Sequence, residues 1–199
     1  MAKAVANLTT IFLTSSAIFF SILVMHANAT EKSYSFSRTL PPQSLGLKRE
    51  KLTHLHFFFH DVTTGTNTTN AVVAMAQSTN ASATVFGEVV MVDDPLTVGP
   101  EKSSKPVGRA QGIYASASKS EISFLMVLNL VFSEGEYNGS TISILGRNSI
   151  FTPLREMPIV GGSGKFKFAR GYAHASNYDF NVTKSLNAVV EYDVYVLHY

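Results

Sequence analysis

The segment KLTHLHFFFHDV, residues 51–62, sets His54, His56, His60 and Asp61 around three consecutive phenylalanines. Three chemistries compete for it: a metal site, a His–Asp proton relay, and the wall of an apolar pocket. If the segment is a strand, alternation puts Leu55, Phe57, Phe59 and Asp61 on one face, and His54, His56, Phe58 and His60 on the other. His60 and Asp61 then point apart, which argues against a relay, because a relay needs both side chains within hydrogen-bond reach. His54 and His56 can face one metal ion, but no clear third ligand accompanies them, and half-buried histidines on an outer wall account for the pattern. Asp61 ends an apolar row. At the mouth of a hydrophobic cavity its carboxyl is desolvated, holds its proton to higher pH and can donate it. As a strand-end aspartate it can equally cap the VTTGTN loop that follows.

Other motifs carry less. IVGGSGKF, residues 159–166, resembles a phosphate loop, but its first glycine is misplaced and Phe166 stands where Ser or Thr should follow Lys165. Lys165 also occupies the last glycine position of a nucleophile elbow, so a glycine-rich turn before a strand is the simpler reading. Asp93-Asp94-Pro95 suggests paired carboxylates, yet neighbours in a strand diverge and the proline marks a turn.

These groups need a scaffold. The chain has 199 residues, 45% hydrophobic and 15% charged, enough for one domain with a sizeable core. Sixteen Lys and Arg against fourteen Asp and Glu leave +2, too small an excess to imply nucleic acid, and no clustered basic face interleaved with aromatics is evident. Residues 1–29 read as a signal peptide: Lys3, the apolar run IFLTSSAIFFSILVM, and Ala27-Asn28-Ala29 as a cleavage site. The run is short for a membrane anchor and is interrupted by Thr14-Ser15-Ser16. A secreted chain without cysteine rests on its core or on oligomerisation rather than on disulfides. Asn67, Asn80, Asn138 and Asn181 fit the N-glycosylation pattern, and Asn138-Gly139 reads as an exposed hairpin tip. Asn28 fits as well but straddles the expected cut.

A polar arm with Pro41-Pro42 occupies residues 30–50. From 51 to 199 the chain is all-β, with eight runs expected at about 52–61, 71–77, 83–94, 107–117, 121–132, 139–148, 165–176 and 187–199. Ile122, Phe124, Met126, Leu128, Leu130 and Phe132 form one face of a run whose other face is nearly as apolar. A closed antiparallel barrel with its outer wall against other subunits satisfies both faces and removes edge strands. A two-sheet sandwich is the other architecture.

The ordered segments KLTHLHFFFHD, FGEVVMVDDPLT, VGRAQGIY, FLMVLNLVF, GSTISILGRN, REMPIVGGSGKFKFARGYA and VVEYDVYVLHY resemble the plant dirigent family, from about residue 50 to Tyr199. The resemblance implies an eight-stranded antiparallel β-barrel similar to that of allene oxide cyclase, assembled as a trimer and secreted to the apoplast. It implies no cofactor and no oxidative centre: the family steers coupling of two phenoxy radicals, typically from coniferyl alcohol, into one lignan stereoisomer. An external laccase or peroxidase makes the radicals. Carried over residue by residue, the family's polar pocket groups fall on Asp61, Tyr114 and Arg155, with Phe57 and Phe59 as pocket wall. Lignan-forming members have an aspartate seven residues before that arginine, where this chain has Asn148, and an amide cannot act as an acid. The GRN…REMP pattern is similar to the broader dirigent-like branch, which includes pterocarpan synthases. Those dehydrate an isoflavanol through a quinone methide, a role in which Asp61 would be the acid. An inert wall or defence protein is the third expectation.

Overall fold

The computed structural model describes residues 35–199. The expected leader, residues 1–29, and the start of the arm lie outside the described residues. The chain divides between Leu45 and Gly46 into two units. The described part of the first holds a short 3-10 turn, Pro42–Leu45.

In the second, the alternating runs form nine strands: β1 (Lys51–Asp61), β2 (Asn70–Ala74), β3 (Val89–Thr97), β4 (Pro106–Ser116), β5 (Ser123–Phe132), β6 (Thr141–Ser149), β7 (Arg155–Ser163), β8 (Arg170–Phe180) and β9 (Ala188–His198). They make one sheet in the order β1-β9-β8-β7-β6-β5-β4-β3-β2. A further antiparallel pairing, Phe58 with Thr97 and Phe59 with Leu96, joins β1 to β3 and closes the sheet. The result is an eight-stranded antiparallel barrel, with β2 lying along β3 outside the ring.

The eight barrel strands are not the eight expected runs. Residues 71–77 contribute only the accessory β2, while β7 falls where no strand was expected and where Gly161-Gly162 read as part of a glycine-rich turn. Its Pro158 and Gly161-Gly162 look like breakers, but the β6–β7 ladder stops at Ile159, so Pro158 sits where that ladder has lapsed. Pro95, also expected to mark a turn, lies inside β3. On that edge β2 pairs with residues 89–92 and β1 with 96–97, leaving Pro95 in the gap where no N–H is required. Residues 83–88 precede β3 as turns, and β8 begins at Arg170 after a 3-10 turn, Gly164–Phe166.

The expected inner row of β5 holds: Met126, Leu128, Leu130 and Phe132 are buried, joined by Val90 and Val92, Ile142 and Ile144, and Val194 and Val196. Each such side chain contributes about 1.5–3 kcal/mol through its removal from water. On the other face Leu125, Val127, Leu145, Val160 and Tyr172 are exposed on this chain.

Closure demands tight curvature. Gly112 (φ +157) and Gly171 (φ +148) each let a neighbouring strand approach so closely that a Cβ would lie 2.0 Å from a backbone carbonyl oxygen, of Val127 and Tyr195 respectively. Backbone cannot move aside as a side chain can. We expect Gly171→Ala to lower stability by about 3 kcal/mol, read as a reduced urea midpoint. An unchanged midpoint would show that this curvature tolerates a side chain.

Candidate active site

At the end of the barrel where β1 finishes and β9 begins, the core opens into a cavity of about 500 Å³. Phe59, Asp61, Tyr114, Asn148, Arg155 and Tyr192 line it together with aliphatic and aromatic side chains such as Met126, Phe124 and Val190. Strand alternation aims them inward: Phe59 and Asp61 from β1, Tyr114 in line with Ala110 and Gly112 on β4, and Arg155 in line with Met157 and Ile159 on β7. Phe57 does not line the cavity. One step deeper on the same face, it is 1% exposed and stacked on Tyr192 at 5.6 Å between ring centroids, so it supports the wall rather than forming it.

Two carboxyls share one side of this site. The register that pairs Phe59 with Leu96 carries Asp61 toward Asp94 on β3. Asp94 is fully buried, inward in the same row as Val90, Val92 and Leu96, while Asp93 points out to Arg109. Loop 62–69 and the start of β2 hold both acids: the Asn70 amide donates to Asp61 Oδ1, and the Thr69 hydroxyl donates to Asp94 Oδ1. The loop is pinned in turn by Val62 N–H to Thr69 Oγ1 at 3.0 Å and Thr69 N–H to the Val62 carbonyl at 2.9 Å. Asp94 Oδ2 has no hydrogen-bond partner among the described residues.

Burial raises the pKa of Asp61, opposed by its bonds to Asn70 and Tyr114. Burial, and then the neighbouring Asp61 charge, push Asp94 up to about 8. Two carboxyls in one dry corner cannot both ionise cheaply, so the pair retains a proton in the neutral range. Burial and the nearby acids also raise the Tyr114 phenol, which stays protonated.

The opposite side is positive. In the ring order, β7 stands across from β3 and β6 across from β1. Arg155 is 4% exposed; its Nε donates to Asn148 Oδ1 at 3.0 Å and its Nη1 to the Thr152 carbonyl at 3.3 Å. It forms no ion pair with any carboxylate among the described residues. Burial lowers its pKa, but a guanidinium stays charged, and here it faces the cavity. Tyr192, fully buried, lies between the two sides, its titration eased by Arg155 and opposed by burial and both aspartates. The cavity is therefore apolar with a proton-holding corner on one wall and a cation on the other.

The histidines serve elsewhere. His54 pairs with Asp193 at 2.7 Å and His56 with Glu191 at 2.8 Å, both exposed on the outer wall. His60 is buried, bonded to Thr97 Oγ1 at 2.7 Å, with burial lowering its pKa. Asn67, Asn80, Asn138 and Asn181 are all exposed. Asp94, Tyr192, Thr69 and Asn70 belong to the site and escaped sequence reading. For Asp94 a signal existed, its alternation with Val90, Val92 and Leu96, but Pro95 concealed it.

The pair has a linkage consequence. A carboxyl whose pKa is higher folded than unfolded binds more protons in the folded state, so its contribution to stability declines as pH rises from about 4 through about 8. Asp94→Asn removes this decline. Urea unfolding between pH 5 and 9 should show the wild type losing stability relative to the variant as pH rises, and parallel curves would contradict the pairing.

Comparison with known proteins agrees with this geometry. The family model described as "Dirigent-like protein" matches residues 52–197, spanning all nine strands. Dirigent protein 21 of Arabidopsis thaliana is 51% identical over 90% of this chain and 94% of its own. Pterocarpan synthase 1 of Glycyrrhiza echinata is 48% identical over 98% of this chain and all of its own. A solved structure of a pterocarpan synthase dirigent protein superposes with TM-score 0.71 at 55% identity, covering 76% of this chain and 87% of that one. A closed barrel with its polar groups gathered at one mouth, matched by this family model along its whole length, makes the chain a member of the dirigent family.

Proposed function

We propose that the cavity takes a phenolic benzylic alcohol of the isoflavanol class and dehydrates it through a quinone methide, as a hydro-lyase with no oxidant. The observation that carries this reading is the pair Asp61 and Asp94, holding a proton in an apolar cavity opposite the unpaired charge of Arg155. Asp61 gives its proton to the leaving hydroxyl, the C–O bond breaks and water departs. The conjugated phenol becomes the quinone methide carbonyl and releases its proton, which restores the acid. Arg155, oriented by Asn148, stabilises the negative charge that gathers on that oxygen. A second phenol of the same molecule then attacks the electrophilic carbon, and its proton returns to the carbonyl oxygen as the ring closes. The net change is loss of one water. Asp94 acts through Asp61: the two carboxyls share one proton near neutrality, and Asp61, the member that lines the cavity, delivers it. Similarity to two pterocarpan synthases supports the substrate class.

The template reading has its own support in the cavity walls, which can orient two phenoxy radicals supplied by an external laccase or peroxidase without any proton donor. Secretion to the apoplast, N-glycosylation and trimer formation accompany either reading. The leader pattern, the four exposed sequon asparagines and the exposed apolar outer wall support them.

One comparison separates the two. With an isoflavanol and no oxidant, the protein should release water and form the cyclised product. With coniferyl alcohol and a laccase, it should leave the lignan racemic. Asp61→Asn should lower kcat by about 100-fold or more, the usual scale of general acid catalysis. Stereoselective coupling without dehydration would transfer the protein to the template class, and full activity of Asp61→Asn would remove the acid from the mechanism.

A further inference from the structure

At the barrel end opposite the cavity, where β1 begins and β9 finishes, lies a second groove of about 330 Å³. Lys48, Arg49 and Lys51 line one side of it, and Lys165, Lys167 and Tyr199 the other. The two short basic segments are more than a hundred residues apart, so the sequence does not show that they form one site. All five cations are exposed, and none has a carboxylate partner among the described residues. Glu50, in the midst of the first segment, is held by Arg170 through two bonds at 2.5 and 2.9 Å. The other acids at this end, Glu101, Glu134 and Glu136, sit on the β3–β4 and β5–β6 connections and do not line the groove.

The cations are displayed on a built frame. Phe166, between Lys165 and Lys167, is fully buried; its ring lies 5.0 Å from that of Tyr137 and 4.9 Å from that of His198. His198 Nδ1 donates to the Lys165 carbonyl at 2.8 Å, and the Lys165 N–H donates to Ser140 Oγ at 3.1 Å. With Phe166 locked inward, its two lysine neighbours are turned to solvent. Beyond them Phe168 is 59% exposed, adopts φ +60, and meets Tyr199 edge-on at 6.5 Å. A large apolar residue held exposed in a left-handed conformation is costly and calls for a reason.

We propose that this groove binds an acidic polysaccharide, a polyuronate, anchoring the protein while the cavity mouth at the other end stays open. Carboxylates spaced along a sugar chain match separate cationic side chains, and the C–H faces of the sugar rings match the exposed faces of Tyr199 and Phe168. Four of the five cations are lysines, point charges suited to single carboxylates; the planar fork that favours phosphate comes from Arg49 alone. The net charge of +2 supplies no field for a nucleic acid. Meeting such a polymer in the wall rests on the secretion proposed above; the affinity itself does not.

The test is retention of the full mature chain on de-esterified polygalacturonate, compared with the fully methyl-esterified polymer and with single-stranded DNA. We expect binding to the de-esterified polymer only, weakened by salt, and weaker by about tenfold or more in Lys48→Gln/Lys165→Gln/Lys167→Gln, as removal of clustered charges requires. Lys119→Gln/Lys184→Gln, which removes exposed charges from loops at the cavity end, should bind as wild type, and both variants should turn over phenolic substrate unchanged. Equal binding to the esterified polymer, stronger binding to DNA, or undiminished binding by the groove variant would each overturn the proposal. A chain that binds polyuronate but dehydrates nothing would sink the catalytic reading and leave this one standing.

Discussion

An ionised carboxylate is expensive to bury, and two in one apolar corner are more so. This barrel places Asp61 and Asp94 together, both under burial and one under the other's charge, with one hydroxyl and one amide from loop 62–70 and the Tyr114 phenol to satisfy them. The rest of the site follows from that constraint. The pair holds a proton, the phenol of Tyr114 stays neutral beside it, and the compensating positive charge stands across the cavity on Arg155. A neutral acid on one wall and a cation on the other form a gradient along which the polarised intermediate of the proposed dehydration would lie.

Barrel closure is what creates the pair. Asp61 and Asp94 lie on strands that are far apart in the open order of the sheet and become neighbours only through the β1–β3 pairing. That pairing is short, two residue pairs, because β2 occupies the earlier part of the same β3 edge. The division of one edge between two partners also makes room for Pro95 and lets the loop between β1 and β2 deliver Thr69 and Asn70 to the two carboxyls. The seam of the barrel and the acid corner are one feature.

Much of this was legible in the sequence, for a definite reason. Period-two alternation alone put Phe59 and Asp61 on the inner face and set the histidines outside, and it predicted the inner row of β5. Family resemblance supplied Tyr114, Arg155 and Asn148, and the fold brings all three to the cavity. What was missed involves either a local rule overridden by tertiary context or a juxtaposition of distant segments. Pro95 looked like a turn marker because sequence does not reveal where a ladder lapses. Asp94 was lost with Pro95. Phe57 was assigned one layer too shallow, since alternation gives the face of a strand but not the depth at which a cavity ends. The basic groove at the far end was invisible because its two halves lie on opposite sides of the chain.

The central claim is that the folded protein carries a protonated carboxyl at neutral pH. Infrared spectroscopy with isotope-labelled aspartate measures this directly through the C=O stretch of the neutral acid. The account predicts that this band survives at pH 7, fades as pH rises through about 8, where Asp94 titrates, and is altered in Asp94→Asn. A spectrum in which every aspartate is already ionised at pH 6 would contradict it.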